Sequence, residues 1–182
     1  MSRDILFDHG NARFSYRISA LIVQGGRALL QCPVGTQDYA FIGGHVSFGE
    51  TAKDTLIREI REELHTDAVI GDLMAVGEVY IDWGRCPDGS PRHCHQIGLY
   101  FHATVDETQL PKADRFCGYD EAGNERYNLE YIWFPLEELR EKIASKAMIV
   151  YPPEAMAHLL SGSKDVLHFT YTELPENTLW PD

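Results

Sequence analysis

Residues 51–64 are the most clearly predicted element of the 182-residue chain, a helix whose two sides differ in character. The segment contains no proline or glycine and many strong helix formers, and Thr51 stands where an N-cap residue belongs. At about 100° per residue, one side is apolar and consists of Leu56, Ile57, Ile60 and Leu64. Because a single apolar stripe has to be buried, this helix is expected to pack against another layer of the fold.

The segments on both sides of this helix have the composition of β-strands. Residues 14–24 and 27–31 are rich in β-branched and aromatic residues, and Gly25-Gly26 between them indicates a hairpin. Further strands are predicted over residues 39–42, 73–83, 95–105 and 130–134. Two further helices are predicted where Pro135 and Pro152-Pro153 open helical patterns. The sequence therefore predicts an α+β fold.

Two segments have weaker signals. Residues 106–128 are polar, contain two glycines and show no clear period, so they are predicted to be a long loop. Residues 141–182 are expected to be a C-terminal helical extension, with one further strand at 166–173. Since no internal repeat or low-complexity tract divides the chain, residues 1–182 are expected to form a single domain.

The charge balance excludes some classes of function. With 28 acidic residues against 16 lysines and arginines, the net charge is −12, which argues against binding a nucleic acid polymer. A small phosphate ligand is compatible with this charge when a metal ion supplies positive charge. No run approaches the roughly 20 apolar residues of a membrane span, and residues 1–10 lack the apolar core of a signal peptide. We therefore expect a cytoplasmic protein with no membrane contact, and the four irregularly spaced cysteines fit reduced thiols.

The second side of the predicted helix carries Glu59, Glu62 and Glu63. Carboxylates at positions i, i+3 and i+4 repel one another, and a divalent cation would remove that repulsion. Hard oxygen ligands suit Mg²⁺ or Mn²⁺. For these three residues alone, a solvated acidic face partly neutralised by Arg58 and Arg61 is the more frequent explanation.

The residues around the helix favour the metal site over the solvated face. Reading outward gives Gly44-x5-Glu50-x7-Arg58-Glu59-Ile60-x-Glu62-Glu63. This pattern resembles the Nudix box, G-x5-E-x7-R-E-U-x-E-E-x-G-U with U a bulky aliphatic residue, and seven of its nine specified positions match. His65 and Thr66 replace the last glycine and aliphatic residue, and Ile42 replaces a proline common before Gly43-Gly44. Because every carboxylate remains, we expect local changes of turn and retained activity.

The resemblance extends over about residues 14–140. It includes the hairpin before the box, the Gly43–Glu50 run and the later Glu130-x-x-Trp133-x-Pro135 stretch. It implies a Nudix-like α/β/α sandwich with a mixed β-sheet and a loop–helix–loop at the box. It also implies a Mg²⁺-dependent hydrolase in which metal-activated water cleaves the diphosphate linkage of a nucleoside diphosphate derivative. The substrate class then includes nucleotides, nucleotide sugars and dinucleoside polyphosphates.

The resemblance also assigns roles to individual residues. Glu59 and Glu63 would be the principal metal ligands, Glu62 would share coordination or orient water, and a backbone carbonyl near Gly44 would complete the shell. Arg58 is expected to pair with Glu50 and to act as a positioning residue. The general base stays open between Glu62 and Glu130, and a surface acid on an edge strand is an equally good explanation of Glu130.

Substrate contacts are harder to predict, because in this family they lie outside the box. Arg17 is a charged residue inside a predicted strand, and it is expected to bind substrate together with Phe41 and Gly44. Further aromatic candidates, each of them more often a core residue, are Tyr16, Trp83, Phe116, Tyr119 and Tyr127. A zinc site is the less favoured explanation of a group that matches no zinc template, namely Cys86, His93, Cys94 and His95.

Two alternative functions are kept. The chain is either an enzyme or a nucleotide-sensing protein that keeps the fold without turnover, and only His65 and Thr66 favour the second. Isomerisation of an isoprenoid diphosphate on the same fold is less favoured, because the full set of box glutamates is present. Since the family often dimerises, a homodimer is also predicted.

Overall fold

The computed structural model describes residues 3–122 and 125–181, and the side chains of residues 119–127 lie outside that description. Within this part of the chain the elements are, in order, β1 (Leu6–His9), β2 (Ala12–Gln24), β3 (Arg27–Pro33), β4 (Tyr39–Ala40), α1 (Ala52–Leu64), β5 (Ala68–Arg85), β6 (Pro91–Val105), β7 (Arg115–Ala122), β8 (Glu125–Pro135), α2 (Leu136–Ala144), β9 (Val150–Tyr151), α3 (Pro153–Ser161) and β10 (Leu167–Thr172). No helix in the described part combines the length and the apolar character that a bilayer span requires.

The strands form a mixed sheet with the order β10-β5-β6-β2-β3-β4-β9. β2 and β6 run parallel, with Ala12 opposite His93 and Ile22 opposite Ala103. β10 also runs parallel to β5, and β9 parallel to β4. The other pairs are antiparallel, and they add β1 next to β2, β8 next to β3 and β7 next to β8.

Helices cover both faces of the sheet. Because side chains alternate between the faces of a strand, Ile18 and Ile22 of β2 face α1, where they join a core with Leu56 and Ile60. The intervening Leu21 faces the other way, toward a core that contains residues of α2 and α3. The α/β/α sandwich predicted from the sequence is therefore confirmed.

Helix α1 follows the prediction at both ends. The Thr51 hydroxyl oxygen accepts a hydrogen bond from the backbone N–H of Asp54, as an N-cap residue does. At the other end His65 adopts a left-handed conformation, with φ 55° and ψ 36°, and its N–H donates to the carbonyl of Arg61. Thr66 is buried, and its hydroxyl donates to the carbonyl oxygen of Asp106 at 2.9 Å. The two departures from the box thus keep an ordered exit from the helix.

One prediction of secondary structure was wrong and a second was incomplete. The segment 106–128 was expected to be a loop, yet it contains β7 and the start of β8. Among the described strands, β7 pairs with β8 alone, and its described side chains are largely exposed. Polar residues are therefore tolerated there, and no apolar alternation is visible in the sequence. The segment 141–182 was expected to be helical apart from one strand at 166–173. The helix α3 and that strand, β10, are confirmed, but the short strand β9 was not predicted.

Candidate active site

The loop before α1 passes very close to both β2 and the helix. The N–H of Ile18 donates to the carbonyl oxygen of Gly44 at 2.9 Å, and a Cβ on Gly43 would lie 2.1 Å from the carbonyl oxygen of Ile18. A Cβ on Gly44 would lie 2.3 to 2.6 Å from the atoms of the Glu59 carboxylate. Packing against backbone therefore requires glycine at position 43, whereas a Cβ at position 44 would displace the Glu59 carboxylate, which rests against the backbone of this loop.

Arg58 contacts three carboxylates at once. Its Nε and Nη2 atoms each lie 3.3 Å from Oε2 of Glu50, so the predicted ion pair is confirmed, and the Thr55 hydroxyl donates to the same oxygen at 2.9 Å. Its Nη1 atom lies 2.9 Å from Oε1 of Glu59 and 3.0 Å from Oε2 of Glu62. Burial disfavours the charged guanidinium, but Glu59, Glu62 and Glu50 outweigh this and raise the pKa of Arg58 above its ordinary value.

The three glutamates of the helix face have different surroundings. The side chain of Glu59 is only 13% exposed, whereas that of Glu62 is 60% exposed. Glu63 is buried, and its Oε2 atom accepts a hydrogen bond from the Tyr131 hydroxyl at 3.1 Å. Glu62 is therefore the member of the set that solvent reaches most easily.

The donor set fits a hard divalent cation. Because a single nitrogen of Arg58 touches both Glu59 and Glu62, two carboxylates already converge on one positive charge. In the described part of the chain, no three acidic, histidine or cysteine side chains converge closely enough to hold a metal ion without rearrangement. The residues that could hold Mg²⁺ or Mn²⁺ are Glu59 and Glu62, with Glu63 on the same helix and the carbonyl of Gly44 beside Glu59.

Glu130 lies away from this group. Its neighbour Tyr131 reaches Glu63, and since successive residues of a strand point to opposite faces, Glu130 faces away from α1. It stands opposite Cys32 of β3, and its Oε2 atom accepts a hydrogen bond from Nη1 of Arg115 at 2.7 Å. The structure thus separates this predicted base from the other predicted catalytic residues.

A cleft of about 460 Å³ lies on the sheet face opposite α1. Its floor includes Arg17 and Ser19 of β2 and Gln96 of β6. The side chains around this floor come from several strands and from the segments next to them, and they include Asp38, Phe41, Val79, Ile81, Trp83, Tyr100, Tyr151, Tyr171 and Glu173. Of the residues predicted to bind substrate, Arg17 and Phe41 line this cleft.

The cleft meets the glycine loop at Arg17. Nη2 of Arg17 donates to the carbonyl oxygen of Gly43 at 3.2 Å, directly before the glycine that contacts Glu59. Beside it the ring of His45 stacks on Trp83, with 5.4 Å between centroids and 7° between planes. Burial, reinforced by the charge of Arg17, lowers the pKa of His45 to about 4, so its ring is neutral at pH 7. The cleft and the acidic helix face therefore meet at Gly43-Gly44.

Of the remaining sequence candidates, only Trp83 is described at the cleft. Tyr16 and Phe116 pack with the core on the α1 side, and Trp83 lines the cleft. Tyr119 and Tyr127 fall among the side chains outside the described residues. Of the residues considered for zinc, Cys94 is buried and burial raises the pKa of its thiol to about 11, while Nδ1 of His93 lies 2.6 Å from Asp82.

Several residues of the site were missed in the sequence. Tyr131 could have been found, because it alternates with Trp133 on a predicted strand and so shares the face that α1 covers. Asp38, Tyr151, Tyr171 and Glu173 carry no local pattern, and only the pairing of distant strands brings them to the cleft.

The chain matches one protein family and has a fold similar to several solved structures. Residues 14–152 match the family described as NUDIX domain. Among solved structures, the fold is similar to a Nudix hydrolase from Nitrosomonas europaea, with 15% identity, 87% of this chain and 79% of that chain covered and a TM-score of 0.53. It is also similar to an ADP-ribose pyrophosphatase from Streptococcus suis (16% identity, 85% and 98% covered, TM-score 0.51). A MutT protein from Bacillus halodurans gives 15% identity, 87% and 91% coverage and a TM-score of 0.54. No curated protein sequence matches the chain.

Proposed function

The chain belongs to the Nudix family, and we propose that it cleaves the diphosphate linkage of a nucleoside diphosphate derivative with Mg²⁺ or Mn²⁺. The observation that carries this proposal is the convergence of Glu59 and Glu62 on one nitrogen of Arg58. These carboxylates lie beside Gly44, where a cleft containing Arg17 ends. Carboxylates that would hold a cation and a side chain that would bind an anion are thus adjacent, which supports hydrolysis of a diphosphate.

The residues of α1 and the carbonyl of Gly44 would have separate roles in the reaction. Glu59, Glu62, Glu63 and the Gly44 carbonyl would hold the metal, which when bound supplies an activated water and neutralises charge on the diphosphate. Glu62 is the exposed carboxylate, and we assign it the general-base role of accepting the proton of the attacking water. Arg58 acts as a positioning residue, because it ties Glu59 and Glu62 to Glu50.

The cleft residues bind and orient the substrate. Arg17 would donate hydrogen bonds to a phosphate oxygen, since its guanidinium lies at the end of the cleft next to Gly43. Phe41 also lines the cleft and would provide an apolar surface for the substrate. Neutral His45 adds no positive charge there, so Arg17 carries the attraction for the diphosphate from the cleft side.

The test is hydrolysis by the purified protein with Mg²⁺. A panel of nucleotides, nucleotide sugars and dinucleoside polyphosphates is compared between the unchanged chain, Glu63→Gln and the matched control Glu137→Gln, an exposed glutamate of α2. We expect turnover in the unchanged chain and the control, and its loss in Glu63→Gln with a circular dichroism spectrum like that of the parent. Equal rates in all three proteins would contradict the proposal.

The same panel separates hydrolysis from nucleotide sensing. His65 and Thr66 were the grounds for a sensing protein, yet both keep the end of α1 ordered. Ligand-induced thermal stabilisation with no product formed would support sensing and overturn the enzyme. The proposal keeps the expected homodimer and cytoplasmic location, and a solution mass near the 20.7 kDa of one chain would contradict the dimer.

A further inference from the structure

One wall of the cleft comes from residues beyond position 152, where the family match ends. Tyr171 belongs to β10 and stands opposite Val79 of β5, another residue of the cleft lining. Glu173 is the first residue after β10, and its backbone N–H donates to the carbonyl oxygen of Tyr80 at 2.9 Å. The sheet therefore fixes the position of both residues relative to the floor of the cleft.

Charge is distributed unevenly along the cleft. Arg17 is the one lysine or arginine in the described lining, and it lies at the end next to Gly43. Asp38 and Glu173 are the two carboxylates of the same lining. A diphosphate is attracted toward Arg17 and repelled by Asp38 and Glu173. The uncharged part of a substrate therefore has to contact these two carboxylates.

Tyr171 and Glu173 together present hydrogen-bond acceptors. The Tyr171 hydroxyl donates to Oε1 of Glu173 at 2.5 Å, which leaves Oε2 of the carboxylate and the phenolic oxygen to accept other bonds. Burial, this hydrogen bond and the charge of Glu173 raise the pKa of Tyr171, so its proton stays in place. Tyr151 contacts the Tyr171 ring from the side, with 6.1 Å between centroids, and adds an aromatic surface next to these acceptors.

We propose that Tyr171 and Glu173 recognise the nucleobase of the substrate and that Glu173 selects a base with an exocyclic amino group. An amino group donates to the carboxylate, whereas a keto oxygen in its place would face another acceptor and lose the bond. The proposal rests on the proposed function for the orientation of the substrate, with the diphosphate at Arg17 and the base at Glu173.

The direct test is binding without metal. Calorimetry in EDTA compares two pairs of nucleotides that differ in amino against keto, CMP with UMP and AMP with IMP. We expect the amino member of each pair to bind about five- to tenfold more tightly, the effect of one hydrogen bond to a charged acceptor at a partly exposed site. In Glu173→Gln the ratio should fall to within about twofold, because an amide can donate to a keto oxygen as well as accept.

The matched control is Glu176→Gln. It removes the same charge from the same exposed segment but lies outside the cleft lining, so the ratios should stay those of the parent. Thermal unfolding of each variant verifies that it is folded. Equal affinities within both pairs, unchanged ratios in Glu173→Gln, or no binding of any of the four nucleotides would overturn the proposal.

Hydrolysis of CDP-glucose and UDP-glucose with Mg²⁺ separates this inference from the proposed function. These substrates share the sugar and the diphosphate and differ only in the amino or keto group of the base. Turnover of both at equal rates would overturn the base selection and leave the hydrolase. Selective binding of CMP and AMP with no turnover of any substrate would support the recognition and contradict the hydrolase.

Discussion

The acidic face of α1 and the cleft lie on opposite sides of Gly43-Gly44, and they are assembled in different ways. The charged groups of the helix face come from residues 50–63, a single stretch made of α1 and the two residues before it. The cleft combines Arg17 near the start of the chain with Glu173 near its end, and only the sheet brings them together. We therefore expect changes on the helix to act on the chemical step and changes in the cleft to act on substrate binding.

The largest effect is expected from comparing Glu59→Gln with Glu130→Gln. The first removes a carboxylate that contacts the Arg58 guanidinium together with Glu62 and that would hold the metal ion. Its kcat should therefore fall by about a hundredfold or more. The second neutralises a carboxylate that faces away from α1 and pairs with Arg115, and kcat should stay within about threefold. Steady-state kinetics on the best substrate measures both. Similar losses in the two variants would show that Glu130 acts in the reaction although it faces away from α1.

The next largest effect is expected at the loop that joins the two regions. In Gly44→Ala the new Cβ would lie 2.3 Å from the Glu59 carboxylate, so this side chain has to move. A displacement of about 1 Å in such a site reduces rates by up to about a hundredfold, and we expect a loss of about ten- to a hundredfold in kcat.

Gly71→Ala provides the control for this experiment. Its Cβ would lie 3.4 Å from the nearest atom, the carbonyl oxygen of His102, so it fits without displacing its surroundings. The kinetics of Gly71→Ala should match those of the parent. A Gly44→Ala protein with full activity would mean that Glu59 does not need its place against the loop.

A smaller effect, and one on KM, is expected from Arg17→Gln. The substitution removes the positive charge of the cleft while the helix face keeps all its carboxylates. KM should rise by about tenfold with kcat within about threefold, because one charged hydrogen bond to the substrate is lost in both the bound and the reacting state. Arg85→Gln, on the exposed hairpin where Nη1 donates to Gly89, should leave both constants unchanged. A fall in kcat with unchanged KM would assign Arg17 to the chemical step.

The helix face is formed by neighbouring residues and the cleft by distant strands, and this difference explains how much of each the sequence could predict. The spacing of Glu59, Glu62 and Glu63 identified the helix face, because local geometry fixes which residues of a helix share a side. Glu130 was one of two candidates for the base, because it precedes Trp133. The direction of a side chain on β8 depends on strand parity, however, and Tyr131 is the residue that reaches α1.

The cleft shows more clearly which site residues cannot be predicted from the sequence. Arg17 could be predicted, because a charged residue is unusual inside a strand that is buried on both faces, whereas Phe41 was one of several aromatic candidates that are more often core residues. Glu173 could not be predicted, since its place follows from β10 pairing in parallel with β5, a contact between segments about 90 residues apart along the chain. Hydrophobic patterns indicate that such strands exist, but they carry little information on which strands become neighbours.

The smallest effect is expected at His65, the departure from the box at the end of α1. His65 holds a left-handed conformation with φ 55°, which is unfavourable for a residue with a Cβ and open to glycine. The gain in His65→Gly is partly offset by the larger freedom of glycine in the unfolded chain. We expect stability to rise by about 0.5–1 kcal/mol, which corresponds to about 1–4 °C in Tm for a chain of this size.

His65→Ala is the matched control, because it removes the imidazole and keeps the Cβ, so its Tm should not exceed that of the parent. Differential scanning calorimetry measures the three proteins, and kcat is recorded alongside. Since His65 is exposed and its backbone N–H already donates to Arg61, neither substitution should alter the positions of the glutamates, and kcat should stay unchanged. If His65→Gly gains no stability over His65→Ala, the left-handed turn is not strained. If either substitution lowers kcat, the end of α1 takes part in holding the acidic face, and that face extends beyond residue 63.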